Sequence, residues 1–465
     1  MRERRRVYSR ALMRRPVLLL SLFLLLPLSR PGSAEDWPTF LGPRQDARSA
    51  ETGLLLDWPE QGPPILWTLR VGEGYSMPSI AGGVLLHFDR VGDEARLSAH
   101  DALTGELRWR QSYPSTYVDA FEFSGGPRAS PVIDGELVFA FGVDGVLRCH
   151  RLSDGAVVWE RRTGEEYGVV TNFFGVGSTP LVVGELLIVP VGGSPPAPPR
   201  GWDIHQGEVP ANGSGIVAFD KRTGEERWKG IDDLASYSSP VLRRSPAGEP
   251  EVAWFGRERL WLFAPGDGRV RASFPWRAEK IYSVNAATPV LSGNESFLSE
   301  SYQKGGVLLR DAVGDGGAQR LEVVWADPPR RGQAMANHWN TAVLDDGTLY
   351  GSSGEKSGSA ELRAVDWATG EVLWSRRGLR RSTATWVEGH LVVLGEYGEL
   401  VLIEATRQAY REKARLELRS AAGERLLRHP AWSPPAISQG VLYVAGDRQL
   451  VALDLRPPRQ APTAR

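Results

Sequence analysis

Short runs of alternating apolar and polar residues fill most of this chain, and glycine-bearing turns separate them. The two-residue period is that of half-buried strands, and no convincing helix interrupts it. One unit recurs: a strand, an aspartate-led turn closing on glycine, and a tryptophan four residues further on. Asp101-Ala102-Leu103-Thr104-Gly105 leads to Trp109, and Leu152-Ser153-Asp154-Gly155 to Trp159. Asp220-Lys221-Arg222-Thr223-Gly224 leads to Trp228, and Asp366-Trp367-Ala368-Thr369-Gly370 to Trp374. Degenerate copies end at Trp276, Trp325 and Tyr410. The aspartate carboxylate suits the turn amides, and glycine suits the positive φ. A ligand contact does not need the same residue in every copy, so these tryptophans, with Trp67, are assigned to docking between sheets.

A second landmark alternates with the first. A short Ser/Thr-Pro step or its equivalent stands at Met77-Pro78, Ser130-Pro131, Thr179-Pro180, Ser239-Pro240, Thr288-Pro289, Asn340-Thr341, Thr385-Trp386 and Pro434-Pro435. Four strands per period and eight starts predict an all-β fold, an eight-bladed β-propeller of four-stranded antiparallel blades over 64–455. The eighth unit stops after its third strand, at Val451–Leu455. The N-terminal strand Ile65–Leu69, which carries Trp67, is therefore expected to complete the last blade and remove two open edges.

The remaining segments lie outside the blades. Residues 1–34 combine a basic start, an apolar run over Val17–Leu28 and the small residues Gly32-Ser33-Ala34, the features of a secretory signal peptide. That run is too short to span a bilayer, and no cysteine follows for a lipid anchor. The expectation is export, to the periplasm or beyond, without membrane insertion. Residues 35–63 form an N-terminal extension, and 456–465 a polar, proline-rich tail expected to be disordered. The segment 1–34 holds eight arginines against one glutamate, so the chain without it moves from a net charge of −1 to −8. A mildly acidic exported protein is a poor partner for nucleic acid. A single cysteine, Cys149, excludes an intramolecular disulfide and a cysteine-based metal site. Nothing suggests oligomerisation, and a monomer is assumed.

The A-x-D-x-x-T-G-x-x-x-W unit resembles the pyrroloquinoline-quinone (PQQ) repeat, and eight of them resemble the PQQ-type propeller family. The opening Asp36-Trp37-Pro38-Thr39-Phe40-Leu41-Gly42-Pro43 resembles the start of exported bacterial members. That family holds PQQ-dependent dehydrogenases and also the cofactor-free propeller of the outer-membrane β-barrel assembly machinery. The resemblance implies the fold; for chemistry it leaves both possibilities.

Strand direction alternates within a blade, so the entry loops and the loops joining second and third strands share one face, opposite the Asp-Thr-Gly turns. Unusual loop content on the entry face marks a candidate site. It comprises Tyr75, Phe121, Glu122, Asn172, Phe173, Tyr237, Tyr282, Asn285, Asn337, His338, Trp339, Asn340, Arg381, His429 and Trp432. These residues suit either a self-packed plug or a polar-aromatic funnel. A long insertion, 193–215, carries Trp202, Asp203 and His205 and is a candidate lid over the mouth. For a PQQ enzyme, Glu122, Asn172 and Asn285 are the oxygen donors available to Ca²⁺, Trp339 the stacking face, and Asp119 or Asp203 the base. No spacing demands those roles, and no G-x-S-x-G, H-E-x-x-H or phosphate-binding loop is present. The expectation is a non-catalytic binding or scaffold protein, with no cofactor or metal, that offers its funnel face to a protein or glycan. The alternative is a PQQ- and Ca²⁺-dependent oxidoreductase acting on a sugar or alcohol.

Overall fold

The computed structural model describes residues 34–198 and 209–458. Within these, eight antiparallel sheets follow one another along the chain. They span 79–114, 132–162, 181–230, 241–275, 290–326, 343–376, 383–417, and finally 436–454 joined by Ile65–Arg70. First strands of neighbouring blades touch and line the axis. This is the eight-bladed propeller predicted above. At seven of the eight marked starts the first strand opens within two residues of the marked pair. Blade seven differs: its first strand, Thr383–Val387, already contains Thr385-Trp386. The only α-helix among the described residues is the single turn Thr163–Tyr167.

Ring closure follows the expected route. Ile65–Arg70 pairs antiparallel with Gln449–Asp454, placing Trp67 opposite Ala452 and Leu69 opposite Leu450. Residues 1–33 of the segment expected to be a signal peptide, and the tail from 459, lie outside the described residues. Arg456, at the tail's start, is bonded to Asp454 at 2.7 Å.

The Ser/Thr-Pro steps have a physical role that their spacing alone did not reveal. Each hydroxyl accepts the backbone N–H of the matching residue one blade earlier: Ser130 from Met77 (3.0 Å), Thr179 from Ser130 (3.0 Å), Ser239 from Thr179 (2.9 Å), Thr288 from Ser239 (3.4 Å) and Thr341 from Thr288 (3.1 Å). A proline with no N–H follows all of these hydroxyl residues but Thr341, and the motif sets a buried amide of one blade against a hydroxyl of the next. Replacing Thr179 by Val should leave the Ser130 amide buried without a partner. The expected loss is about 1–3 kcal/mol in urea unfolding, with Thr179→Ser close to the parent.

The tryptophans dock forward, each onto the turn of the next blade. Indole N–H groups donate to turn carbonyls from Trp67 to Ala102, Trp109 to Leu152, Trp159 to Lys221, Trp228 to Pro265, Trp325 to Trp367 and Trp374 to Thr406. The ring lies so close to the turn glycine that a Cβ built on Gly155 would stand 2.4 Å from Trp109. Gly155 also has φ of +75°, so both reasons require glycine. In blades four and seven the equivalent cross-strand positions hold Ala272 and Ala414. Those are the two blades whose successor lacks a regular turn. Blade five has the long 314–318 connection, and blade eight has a chain break between its third and fourth strands. Trp276 is thus no copy of the repeated position: it follows its blade's last strand and donates to Gly305 of blade five at 3.2 Å. Tyr410 precedes its strand and packs edge-on against Trp374.

The N-terminal extension does more than lead into the ring. Trp37 bridges to Ile80 in blade one, the Pro38 carbonyl accepts the Ile133 amide of blade two, and the Gln45 amide reaches the Pro240 carbonyl of blade four. Arg48–Ser49 then adds in parallel to the first strand of blade seven, and Arg48 bonds Asp345 of blade six at 2.8 Å. Residues 37–49 therefore cross the axis. Leu41, Gln45 and Ala47 all take positive φ there, a local strain that the surrounding blades hold in place.

Candidate functional site

The entry loops converge around a cavity of about 590 Å³, with Phe40 of the crossing segment among its lining residues. Of the predicted residues, Tyr75, Phe121, Tyr237, Tyr282, His338, Trp339, Arg381, His429 and Trp432 line it. The rings run in sequence. Tyr75 lies 4.7 Å from Trp432, Trp432 4.4 Å from Trp339, Trp339 4.6 Å from His338, His338 5.3 Å from Tyr302 and Tyr302 5.1 Å from Tyr282 (ring centroids). On the other side Phe174 contacts Phe121, Phe123 and Tyr237 at 5.5–6.2 Å. Phe121 and Phe123 remain 52% and 62% exposed, forming an apolar lip on the rim.

Two guanidinium groups complete the wall. Arg381 lies 4.3 Å over Trp339 and 5.6 Å from Trp432. Its charge is held by Glu396, a fully buried carboxylate that receives two guanidinium N–H groups at 3.0 and 2.5 Å and the Trp432 indole at 3.3 Å. Burial pushes the Glu396 pKa up, but its bonds to Arg381 outweigh that and hold it below the ordinary value. Arg128 stacks between Tyr75 and Phe174 at 5.6 and 5.8 Å and is held by Asp119 at 2.9 Å. Asp119 also accepts the amides of Phe121, Phe123 and Ser124. It shapes the loop that carries Glu122, which takes φ of +57°.

The predicted amides stand behind the wall and tie loops together. Asn172 accepts from Arg257 at 2.7 Å and from the Phe173 amide. Phe173 packs beside Val284. Asn285 donates to the carbonyls of Gly256, Arg257 and Trp276. Asn337 and Asn340 both donate to the Ser352 carbonyl, and Asn340 accepts the His338 amide. His338 is half-buried among Tyr302, Trp339 and Arg381, and desolvation followed by the nearby Arg381 charge lowers its pKa to about 3, so it is neutral at physiological pH. Trp202, Asp203 and His205 lie outside the described residues.

Sequence reading missed Phe40, Phe123, Arg128, Phe174, Tyr302 and Glu355 of the lining. Phe123, Arg128 and Phe174 share entry loops with residues already named. Tyr302 and Glu355 sit in loops joining second and third strands, which were assigned to this face. Phe40 had no repeat to mark it.

Glu300, beneath Tyr302, supplies a pH dependence. Burial is the main cause of a pKa raised to about 7, with the Glu355 charge adding to it. Folding thus favours the protonated acid. Its stabilising contribution is complete below the ordinary value of 4.5 and is lost as pH rises to about 7. Glu300→Gln should therefore match the parent at pH 4.5 and exceed it by up to about 3 kcal/mol at pH 8 in urea unfolding.

Two of the groups considered for a quinone site are already engaged. The Asn172 oxygen is bonded to a guanidinium and Asp119 is saturated by Arg128 and backbone amides, whereas the Asn285 NH2 group is spent on carbonyls and its oxygen is buried without a partner. Arg381 covers Trp339 at 4.3 Å. Among the described residues no three His, Cys, Asp or Glu side chains gather as a metal site.

Repeat, blade number and closure define a propeller of the PQQ-repeat class. The family model described as outer membrane protein assembly factor BamB matches residues 93–376 and 358–457. The chain belongs to that family. No curated protein sequence matches it. Among solved structures it is similar to BamB from Moraxella catarrhalis, at 12% identity, covering 86% of this chain and 99% of that one, with a TM-score of 0.57. It is also similar to a europium-containing methanol dehydrogenase, at 11% identity over 91% and 90% of the two chains, TM-score 0.59. The quinohemoprotein alcohol dehydrogenase ADHIIG from Pseudomonas putida HK5 follows at 12% identity over 92% and 82%, TM-score 0.55. At such identities the likeness is one of fold.

Proposed function

We propose that this chain is an exported, non-catalytic binding protein that receives a protein or glycan partner on its funnel face. One observation carries the reading: the guanidinium groups around the cavity are each held by a carboxylate or amide oxygen, while much of its aromatic surface is left open. Arg381 is paired with Glu396, Arg128 with Asp119 and Arg257 with Asn172. Such a site holds a rigid shape but has few free groups for proton or hydride transfer. The apolar lip of Phe121 and Phe123 suits a partner whose aromatic anchors bury against it. Export fits the family and the features of residues 1–34, and no described helix is long and apolar enough to cross a membrane.

Tryptophan fluorescence of the purified protein during titration with PQQ, with and without Ca²⁺, tests this reading. No quench is expected up to about a hundred micromolar. A saturable, Ca²⁺-dependent quench that disappears in Trp339→Ala would establish the oxidoreductase alternative instead. A photo-crosslinking residue at Phe123 should give a discrete adduct with one partner in cells, and one at Thr104 on the opposite face should not.

A further inference from the structure

The cavity's charges are unevenly balanced. Arg128 and Arg381 are each neutralised by a buried carboxylate. Glu355 lines the same cavity beside Arg381, whose guanidinium reaches its backbone carbonyl at 3.5 Å, but its carboxylate makes no ion pair among the described residues. Its charge is felt by Tyr302 and by Glu300 behind it. Around it the aromatic surface is continuous. Tyr282 meets Tyr302 edge-on at 74°, Tyr302 meets His338 at 61°, and His338 meets Trp339 at 75°. His338 is neutral there, so it adds a polarisable face and no repulsion. Phe40 stands among the lining groups where the crossing segment spans the axis, so a ligand enters from the funnel mouth.

Each ligand class makes a different demand on such a surface. An anion finds both guanidinium groups already paired. A bare metal ion finds no set of three His, Cys, Asp or Glu side chains among the described residues. A neutral ligand that displaced water from Glu355 would leave a carboxylate without compensation. An organic cation answers both features, because aromatic faces attract it and the carboxylate balances its charge. We propose that the Tyr282–Tyr302 end of the cavity binds an alkylammonium group, with Glu355 as its counter-ion. The inference deepens the binding role proposed above and rests on it. The same chemistry is presented by a free quaternary ammonium compound and by a lysine side chain of a partner protein.

The test is calorimetric titration of the full protein with choline, with Nα-acetyl-lysine amide and with 3,3-dimethylbutanol, the uncharged isostere of choline. At least one cation should bind saturably, with the isostere about tenfold weaker or more. Glu355→Gln should weaken the cation by about tenfold without altering the thermal midpoint, and Tyr302→Leu should weaken it while Tyr302→Phe does not. Preference for choline identifies a free ammonium ligand, and preference for the capped lysine identifies a partner's side chain. Equal binding of the isostere overturns the proposal, as does the absence of saturation by either cation below about 10 mM in a folded protein. Failure here together with an unbound PQQ leaves the partner-binding reading standing, whereas Ca²⁺-dependent PQQ binding removes that reading on its own.

Discussion

Glu396→Ala is expected to destabilise the protein by about 3 kcal/mol or more, although the residue belongs to no strand and faces no hydrophobic core. The carboxylate is fully buried where three loops meet. Its oxygens take the Arg381 guanidinium, the Arg381 amide and the Trp432 indole, with His429 at 3.6 Å. Its own backbone bonds Leu379 and Ala431, which lie on the entry loops of blades seven and eight. Alanine removes every side-chain bond at once and leaves Arg381 pressed against two indole faces without its counter-charge. Glu396→Gln keeps an acceptor and should cost roughly half as much. The sign of the pH dependence follows from a pKa held below the ordinary 4.5. The Glu396 contribution is complete above 4.5 and fades as pH falls through the lower folded-state value. Parent and variant curves from urea unfolding should therefore converge in acid and stay apart at neutral pH. A constant gap across that range would assign the loss to packing rather than to charge.

The fold was legible because its signals are local and repeated. An Asp-Thr-Gly turn and a tryptophan four residues later state one geometry several times, and the Ser/Thr-Pro step marks where each blade begins. The site was legible by face rather than by residue. Knowing that entry loops share one side picked out Tyr75, Trp339 and Trp432, which line the cavity. It could not separate them from Asn172, Asn285 and Asn337, which sit on the same loops but turn back to fasten them. Whether a loop side chain points in or back depends on partners far away in sequence, such as Arg257 for Asn172, 85 residues on. Phe40 and Gln45 were illegible for the same reason. Their positions are set by contacts across the ring, and a single non-repeating segment offers no period from which to infer them.

The largest effect on the ring itself is expected at its seam. Trp67→Ala should cost about 3–5 kcal/mol. Trp67 is 8% exposed, lies against Gly105, donates to the Ala102 carbonyl at 3.0 Å and packs on Tyr443 at 5.9 Å. Trp159→Ala removes an equivalent dock between blades two and three, and its cost should be similar. The two should nevertheless unfold differently. Blades two and three are joined by continuous chain, so losing their dock leaves the neighbours tethered. At the seam, Ile65–Arg70 reaches Gln449–Asp454 from the other end of the described chain, and no covalent connection joins it to the third strand of its own blade. Without Trp67 that strand can detach while the other blades stay folded. Hydrogen exchange should then show 65–70 and 441–454 losing protection ahead of global unfolding in Trp67→Ala, but not in Trp159→Ala. Uniform loss of protection in both variants would mean that the seam is held by the strand ladder and by Tyr443, whose hydroxyl also reaches the Ala102 carbonyl at 3.1 Å, with the tryptophan contributing only bulk.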